Sequence, residues 1–301
     1  ALGYGKINVS GGSYGTRMAL IYMRRHPDAV RTAVLNGVAP IAFRNPLYHA
    51  LDFHEAVRAL FAECANDPDC RAAFPRLEDE YLAVLDRLER EPAEVEVTHP
   101  ASKTALRVRL SREAFCEGLR VVMYSGARNR GVPVMIHRAF EGDLRPFAES
   151  ALLSARGIRK SLALGLLLSV TCAEDLDRIT VEDIVTYASR TDAGDGRVRT
   201  QKAMCGFWPR SNIETGYGEP VSVDTPTLLL SGNLDPATSP RWGEEAASHL
   251  PRSLHLVVPG AHGVGGNCLT AVEKAFLETG SIDGLDVSCV KAIKPGKFRT
   301  K

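Results

Sequence analysis

The sequence predicts an α/β protein in which a parallel sheet is covered by helices and a long helical segment is inserted between two of its strands. Strands and helices alternate at both ends of the chain, whereas residues 41–221 read mainly as helices rich in Ala, Leu, Arg and Glu. The chain has 301 residues, of which 45% are hydrophobic and 24% charged, enough to build a large folded core. We therefore expect core segments at 1–40 and 222–301 and a mainly helical cap at 41–221.

The first forty residues predict a β-α-β unit. Residues 6–10 form a short apolar strand pattern, and residues 13–26 carry apolar side chains at helical spacing before Pro27 ends the helix. A second apolar strand follows at 31–38. Because a helix connects the two strands, they must run parallel.

The remaining elements follow from the same patterns. Alternating apolar residues predict a β-hairpin over about 95–110, inside the helical segment. After Pro226 the α/β pattern returns, with predicted strands at 227–230 and 254–258 and predicted helices at 242–249 and about 269–279.

Charge and hydropathy exclude some classes of partner. Lys and Arg number 37 against 36 Asp and Glu, so no basic field favours nucleic acid. The longest apolar run, at 161–170, is far shorter than the roughly 18 residues that a membrane span needs. We expect neither nucleic acid nor a membrane as a partner, and no residue pattern calls for a metal or another cofactor.

The turn between the first strand and the first helix has the sequence Gly11-Gly12-Ser13-Tyr14-Gly15 and matches G-x-S-x-G. In this strand–turn–helix context the pattern predicts a nucleophilic Ser13, with the Tyr14 backbone N–H donating to an oxyanion. We expect that a Cβ at Gly11 or Gly15 would crowd the backbone of so tight a turn. A structural glycine turn or a phosphate-binding loop is the alternative.

A nucleophilic serine needs a base, and the base needs a carboxylate to orient it. Asp235 follows the predicted strand at 227–230, and His262 lies between Gly260 and Gly263 after the predicted strand at 254–258. The order Ser, Asp, His along the chain is typical of an α/β-hydrolase. The other seven histidines fall in the insert or within helix and strand patterns, and we interpret them as structural.

The chain resembles the α/β-hydrolase peptidases of the tripeptidyl aminopeptidase and prolyl aminopeptidase (proline iminopeptidase) group. The resemblance lies in the segments at 11–17 (GGSYGTR), 25–27 (RHP), 34–40 (VLNGVAP), 231–238 (SGNLDPAT) and 260–263 (GAHG). It implies a secreted or periplasmic serine exopeptidase whose helical cap restricts the substrate to peptides with a free amino terminus. The substrate is then the expected partner.

The resemblance also implies roles for residues of the cap and for the cysteines. Glu174 and Asp175 lie where the group places acidic residues, so they are candidates to bind the substrate ammonium, although a solvated acidic helix start explains them equally well. Disulfides are implied for three pairs, which would leave Cys116 unpaired: Cys64 with Cys70, Cys172 with Cys205, and Cys268 with Cys289. Buried free thiols are the alternative, and an oxidising compartment follows only if the disulfides form.

The hydrolase sheet of this group has more strands than the chain supplies, because the nucleophile turn normally follows the fifth strand. We expect the amino-terminal half of the hydrolase domain to be missing, which would leave the strand at 6–10 as an open edge and remove one oxyanion donor. The chain is then a fragment, or it needs a partner that supplies the missing half. Besides the aminopeptidase, two hypotheses stay open: a carboxylic ester hydrolase with the same triad, and a non-catalytic binding module.

Overall fold

The computed structural model describes residues 3–301, which form two compact units. The first unit, the sheet unit, contains the chain up to Phe43 together with Glu214–Pro295. The second unit, the helical unit, contains Arg44–Ile213 and Gly296–Lys301.

The strands of the described chain belong to two sheets. In chain order they are β1 (Ile7–Gly12), β2 (Val30–Asn36), β3 (Ala93–Thr98), β4 (Ala105–Leu110), β5 (Thr227–Gly232) and β6 (Ser253–Val258). The sheet unit holds a parallel four-stranded sheet in the order β1-β2-β5-β6, and β3 and β4 form an antiparallel hairpin in the helical unit. The predicted parallel sheet covered by helices, the parallel β-α-β unit and the hairpin are thus confirmed.

The helices cover the sheet and build the helical unit. The sheet unit contains α1 (Tyr14–Arg25), α12 (Pro240–Ser248) and α13 (Asn267–Thr279). The helical unit contains α2 (His49–Asn66), α3 (Pro68–Ala73), α4 (Leu77–Arg90), α5 (Arg112–Met123), α6 (Gly126–Asn129), α7 (Val132–Phe140), α8 (Arg145–Ser161), α9 (Leu164–Glu174), α10 (Val181–Ile184) and α11 (Gly196–Cys205).

The central strands β2 and β5 are buried on both faces under helices. Leu35 of β2 and Leu229 of β5 pack in one apolar cluster with residues of α1 and α12. Their chain neighbours on the opposite face, Val34 and Leu228, pack in a second cluster with residues of α13. Since successive strand residues point to opposite faces, the continuous apolar runs of β2 and β5 are what a doubly covered parallel sheet requires.

The two strands that carry the nucleophile turn end differently from the prediction. β1 extends beyond residue 10 to Gly12, because Gly11 and Gly12 keep their register with Leu35 and Asn36 of β2. β2 ends at Asn36 rather than at residue 38, since Gly37 adopts a φ of 65° that no strand continues through. In the described chain β1 pairs with β2 alone and forms an edge of the sheet, as the sequence predicts.

Three disulfides are present, and they are the pairs that the resemblance implies: Cys64–Cys70 and Cys172–Cys205 in the helical unit and Cys268–Cys289 in the sheet unit. Cys116 is a free, buried thiol. Burial raises the pKa of Cys116 to about 12, so this thiol stays protonated and unreactive near neutral pH. Disulfides of this kind are typical of proteins from oxidising compartments.

A cluster of charged side chains lies inside the helical unit. The Glu117 carboxylate accepts hydrogen bonds from Arg120 at 2.9 Å and from Arg197 at 3.1 Å, and we call these three residues the Glu117 cluster. Burial by itself would raise the pKa of Glu117, but the two guanidinium groups outweigh it and lower that pKa to about 2.

Candidate active site

Ser13 occupies a strained backbone conformation between β1 and α1. Its φ is 53° and its ψ −126°, and among the described residues other than glycine it shares a positive φ only with Lys103. The turn is held on both sides of Ser13: the Ser13 N–H donates to the carbonyl of Asn36 at 3.0 Å, and the hydroxyl of Thr16 donates to the Ser13 carbonyl at 2.6 Å. This is the geometry of a nucleophile elbow, which presents a serine hydroxyl at the end of a sheet.

Gly11 and Gly15 contribute differently to this turn. A Cβ on Gly11 would lie 2.4 Å from the Gly15 carbonyl oxygen and 2.8 Å from the Thr16 nitrogen, so only glycine fits there. A Cβ on Gly15 would meet no atom within 4 Å. The expectation of crowding is correct for Gly11 and wrong for Gly15, because the helix turns the Gly15 Cβ position away from β1.

Asp235 and His262 are in direct contact. The Nδ1 atom of His262 lies 2.9 Å from one carboxylate oxygen of Asp235 and 3.1 Å from the other. The Asp235 side chain has no solvent exposure, whereas the His262 side chain is 14% exposed. The carboxylate also accepts the backbone N–H groups of Ala237 and Thr238, at 2.8 and 2.9 Å, and the Thr238 hydroxyl at 3.0 Å.

These contacts fix the protonation pattern of the imidazole. A carboxylate only accepts hydrogen bonds, so Nδ1 of neutral His262 carries the hydrogen and points it at Asp235. The Nε2 lone pair is then the basic position of the ring. A buried carboxylate that orients a histidine in this tautomer is the arrangement that a general base requires.

The sheet brings Ser13 to the same edge as His262. Ser13 follows β1, Asp235 follows β5 and His262 follows β6, and the carboxyl ends of these parallel strands share one edge. The end of β2 lies next to both residues. The carbonyl of Asn36 accepts the Ser13 N–H, and a Cβ on the next residue, Gly37, would lie 3.4 Å from Cε1 of His262. Tyr14 is the first residue of α1, where backbone N–H groups point out of the helix end.

Two further residues of this region contact the site, and the sequence motifs do not predict their roles. The Thr238 hydroxyl donates a hydrogen bond to the Asp235 carboxylate. The Asn36 side chain donates to the Val264 carbonyl at 2.7 Å and accepts the Val264 N–H at 2.9 Å. The Asp-Pro-Ala-Thr sequence carries a signal for Thr238, since an aspartate side chain commonly accepts the N–H groups two and three residues later. Asn36 carries no such signal, because its partner lies 228 residues away in the chain.

His255 of β6 differs from His262 in its surroundings. Its Nε2 lies 2.9 Å from the Ser231 hydroxyl, and burial lowers its pKa while Glu244 opposes that shift. A Cβ on Gly243 would lie 2.3 Å from this ring, so the ring is closely packed against α12. These contacts agree with the structural interpretation of His255.

The acidic cap residues lie at the end of α9. Asp175 is 1% exposed and its carboxylate accepts a hydrogen bond from Arg178 at 3.0 Å. Glu174 is half-buried, and its backbone carbonyl accepts a second hydrogen bond from Arg178. Of the two, Glu174 has the more accessible side chain, and ammonium binding by either residue stays a prediction.

Residues 3–301 contain no group of three or more His, Cys, Asp or Glu side chains arranged to hold a metal ion. Within the same range, no helix combines the length and the apolar character that crossing a membrane requires.

Two protein families match parts of the chain. The α/β-hydrolase fold family matches residues 1–115, and the TAP-like protein family matches residues 191–289. The serine protease Hip1 of Mycobacterium tuberculosis is 26% identical over 96% of the chain, and so is Hip1 of Mycobacterium bovis. The chain spans 59% of the length of these curated relatives.

Solved structures show weaker similarity. A serine hydrolase from the polyaromatic hydrocarbon-degrading bacterium Cycloclasticus zankles has 12% identity and a TM-score of 0.35, over 93% of this chain and 66% of that one. A thermophilic esterase from Thermogutta terrifontis has 16% identity and a TM-score of 0.30, over 91% of this chain and 64% of that one. The two family matches and the similarity to Hip1 support the predicted α/β-hydrolase fold and a serine peptidase of the TAP-like group.

Proposed function

We propose that the chain carries the catalytic residues of an aminopeptidase that cleaves peptide bonds near a free amino terminus through an acyl-enzyme. The observation that supports this most strongly is the buried Asp235–His262 contact, at the strand edge where Ser13 stands in its strained turn. Hip1, a serine protease by name, supports a peptide rather than an ester as the substrate.

In the proposed mechanism, the first half-reaction forms the acyl-enzyme. The Ser13 Oγ attacks the scissile carbonyl carbon while its proton passes to Nε2 of His262, and Asp235 stabilises the imidazolium. The Tyr14 N–H donates to the oxyanion of the tetrahedral intermediate. The C–N bond then breaks, and the proton on Nε2 moves to the leaving amine.

The second half-reaction releases the acyl group. Water attacks the ester carbon and gives its proton to Nε2, and the bond to Ser13 Oγ breaks as that oxygen takes the proton back. Neither half-reaction uses a metal or an organic cofactor. The charged amino terminus of the substrate is proposed to bind Glu174 or Asp175 of the helical unit by charge-assisted hydrogen bonds.

The open edge of β1 is the proposed place for a partner. The backbone groups of β1 pair with β2 on one side, and two apolar residues are exposed: Ile7, the first residue of β1, and Tyr4, which precedes the strand. We propose that further strands of the hydrolase sheet pair here and bring the second oxyanion donor. The three disulfides support a secreted or periplasmic location for the assembled enzyme.

A substrate panel tests the activity. It contains aminoacyl and tripeptidyl amides with free and with N-acetylated amino termini, and a short-chain ester, each tested on the chain with and without the upstream segment of its reading frame. Cleavage of the free-amine substrates alone, abolished in Ser13→Ala, is the expected result. Equal cleavage of acetylated substrates and ester would instead identify an esterase.

Labelling with a fluorophosphonate distinguishes an enzyme from a binding module. We expect Ser13 to be labelled, and labelling to be lost in Ser13→Ala and strongly slowed in His262→Ala. A chain that is inert towards the probe even with its upstream segment restored would contradict the catalytic proposal.

A further inference from the structure

Asn36, at the last position of β2, contacts both sides of the candidate active site. Its backbone carbonyl accepts the Ser13 N–H at 3.0 Å. Its side chain forms two hydrogen bonds with one residue of the histidine loop: Nδ2 donates to the Val264 carbonyl at 2.7 Å, and Oδ1 accepts the Val264 N–H at 2.9 Å. One residue therefore links the nucleophile turn to the loop that carries His262.

The hydrogen bonds between the Asn36 side chain and Val264 cross over β5 and join segments that do not pair through their backbones. The sheet order is β1-β2-β5-β6, so β5 separates β2 from β6 and from the loop that follows β6. Backbone pairing between neighbouring strands fixes Ser13 relative to β2, but it does not fix the loop beyond β6 relative to β2. The Asn36 side chain supplies that connection directly.

The histidine loop is held at both ends. At its start, the Gly260 N–H donates to the Asn233 side chain at 3.0 Å, and the Gly260 carbonyl accepts the Leu234 N–H at 2.9 Å. At its end, the Val264 side chain packs against the apolar cluster under α13 and would lie 2.7 Å from a Cβ on Gly260. His262 sits midway between these two attachments, so its ring position depends on both.

We propose that Asn36 is a positioning residue for the reaction: by binding the Val264 backbone it holds the imidazole of His262 at the distance and angle that Ser13 requires. This inference rests on the proposed function only for its kinetic consequence. Truncation to alanine removes the side-chain link and leaves the Ser13–Asn36 backbone bond in place, so the histidine loop alone is released.

The experiment compares Asn36→Ala with a matched control, Asn8→Ala. Asn8 lies near the other end of β1 from Ser13, and its side-chain oxygen accepts two hydrogen bonds, from the Thr32 hydroxyl at 2.8 Å and from Arg31 at 3.3 Å. Both variants lose an asparagine side chain from the same sheet, but Asn8 is remote from the active site. Unfolding measurements verify that both variants fold.

The first readout is the low-field proton resonance of the His262 Nδ1–H bonded to Asp235, assigned by its absence in His262→Ala. It reports the position of the ring whether or not the chain turns substrate over. We expect the resonance to be present in the unaltered chain and in Asn8→Ala, and to be lost or exchange-broadened in Asn36→Ala. An unchanged resonance in a folded Asn36→Ala would overturn the proposal.

The second readout is the rate of fluorophosphonate labelling of Ser13. Because a displacement of about 1 Å in a reacting group costs on the order of a hundredfold in rate, we expect Ser13 of Asn36→Ala to be labelled more slowly by about that factor. Asn8→Ala should label like the unaltered chain. If the unaltered chain is not labelled even with its upstream segment restored, the proposed function fails, while the resonance still decides the role of Asn36.

A second variant covers the case in which Asn36→Ala does not fold. Asn36→Asp keeps an acceptor for the Val264 N–H but places an oxygen against the Val264 carbonyl. We expect its resonance to be broadened and its labelling rate to fall between those of the unaltered chain and Asn36→Ala. A resonance as sharp as in the unaltered chain would contradict the proposal for this variant as well.

Discussion

Replacing Gly11 with alanine is expected to displace the nucleophile turn and to weaken the fold at the same time. The added Cβ would lie 2.4 Å from the Gly15 carbonyl oxygen, 2.6 Å from the Gly15 carbonyl carbon and 2.8 Å from the Thr16 nitrogen. All three are backbone atoms of α1, so no side-chain rotation relieves the contact. Since ordinary contacts between heavy atoms need about 3.5 Å, the start of α1 must move by about 1 Å.

That movement has two measurable consequences. Forcing an extra carbon into a closely packed position costs about 1–3 kcal/mol of the free energy of unfolding. The same movement displaces Ser13, because Thr16 of α1 donates a hydrogen bond to the Ser13 carbonyl. The rate at which a fluorophosphonate labels Ser13 should therefore fall by about a hundredfold.

Gly15→Ala is the matched control, four residues away in the same turn. Its Cβ meets nothing within 4 Å, and it lies inside α1, where alanine is favoured over glycine by about 1 kcal/mol. We expect Gly15→Ala to be at least as stable as the unaltered chain in urea. Equal urea midpoints and equal labelling rates for Gly11→Ala and Gly15→Ala would refute the predicted steric clash at Gly11.

Three further changes test other parts of the structure. Thr238→Val removes a hydroxyl that donates to the buried Asp235 carboxylate, so it should lower the unfolding free energy by about 1.5–3 kcal/mol and slow acylation of Ser13. Thr238→Ser keeps the hydroxyl and should retain most of the stability and most of the acylation rate. Equal acylation rates in the two variants would contradict this. Glu117→Gln should destabilise the helical unit by on the order of 3 kcal/mol in urea at neutral pH. The pKa of Glu117 is about 2 in the folded chain and about 4.3 in the unfolded chain, so its stabilising effect is complete above about pH 4.3. The difference in unfolding free energy between Glu117→Gln and the unaltered chain should therefore shrink as the pH falls towards about 2. A difference that stays constant with pH would refute this role of Glu117. Removing the Cys172–Cys205 disulfide, which spans 33 residues, should lower the free energy of unfolding by about 3.7 kcal/mol. Removing the Cys64–Cys70 disulfide, which spans 6 residues, should lower it by about 2.2 kcal/mol. Equal losses would argue that the stabilisation does not arise from the entropy of the unfolded chain.

The sequence predicts the parts of the molecule that depend on local pattern. Buried parallel strands leave continuous apolar runs, so β2 and β5 are evident, and the strand–turn–helix context identifies Ser13. Asp235 and His262 follow because each comes directly after a strand of the same sheet. Element boundaries differ by one or two residues, since pairing extends β1 through two glycines and a positive φ at Gly37 ends β2.

The sequence does not predict contacts between distant segments. The hydrogen bond from the Asn36 side chain to Val264 joins residues 228 apart and crosses over β5, so it depends on the folded sheet and on the path of the loop after β6. The different roles of Gly11 and Gly15 depend on the direction of a Cβ vector, which the letters G-x-S-x-G do not encode. The burial of Asp175 against Arg178 likewise depends on how α9 ends.

The pairing of β2 with β5 has a consequence for how the chain is made. These neighbours are separated in the sequence by the whole stretch that holds Arg44–Ile213. At a synthesis rate of about 5–20 residues per second, roughly 10–40 s pass between the emergence of β2 from the ribosome and that of β5. During that interval β2 pairs with β1 but lacks β5 on its other side, whereas Arg44–Ile213 can already fold and lacks only Gly296–Lys301 of the helical unit. The nascent chain thus exposes an apolar strand edge while the helical unit forms, and this is the stage at which a chaperone that holds extended apolar segments would protect it.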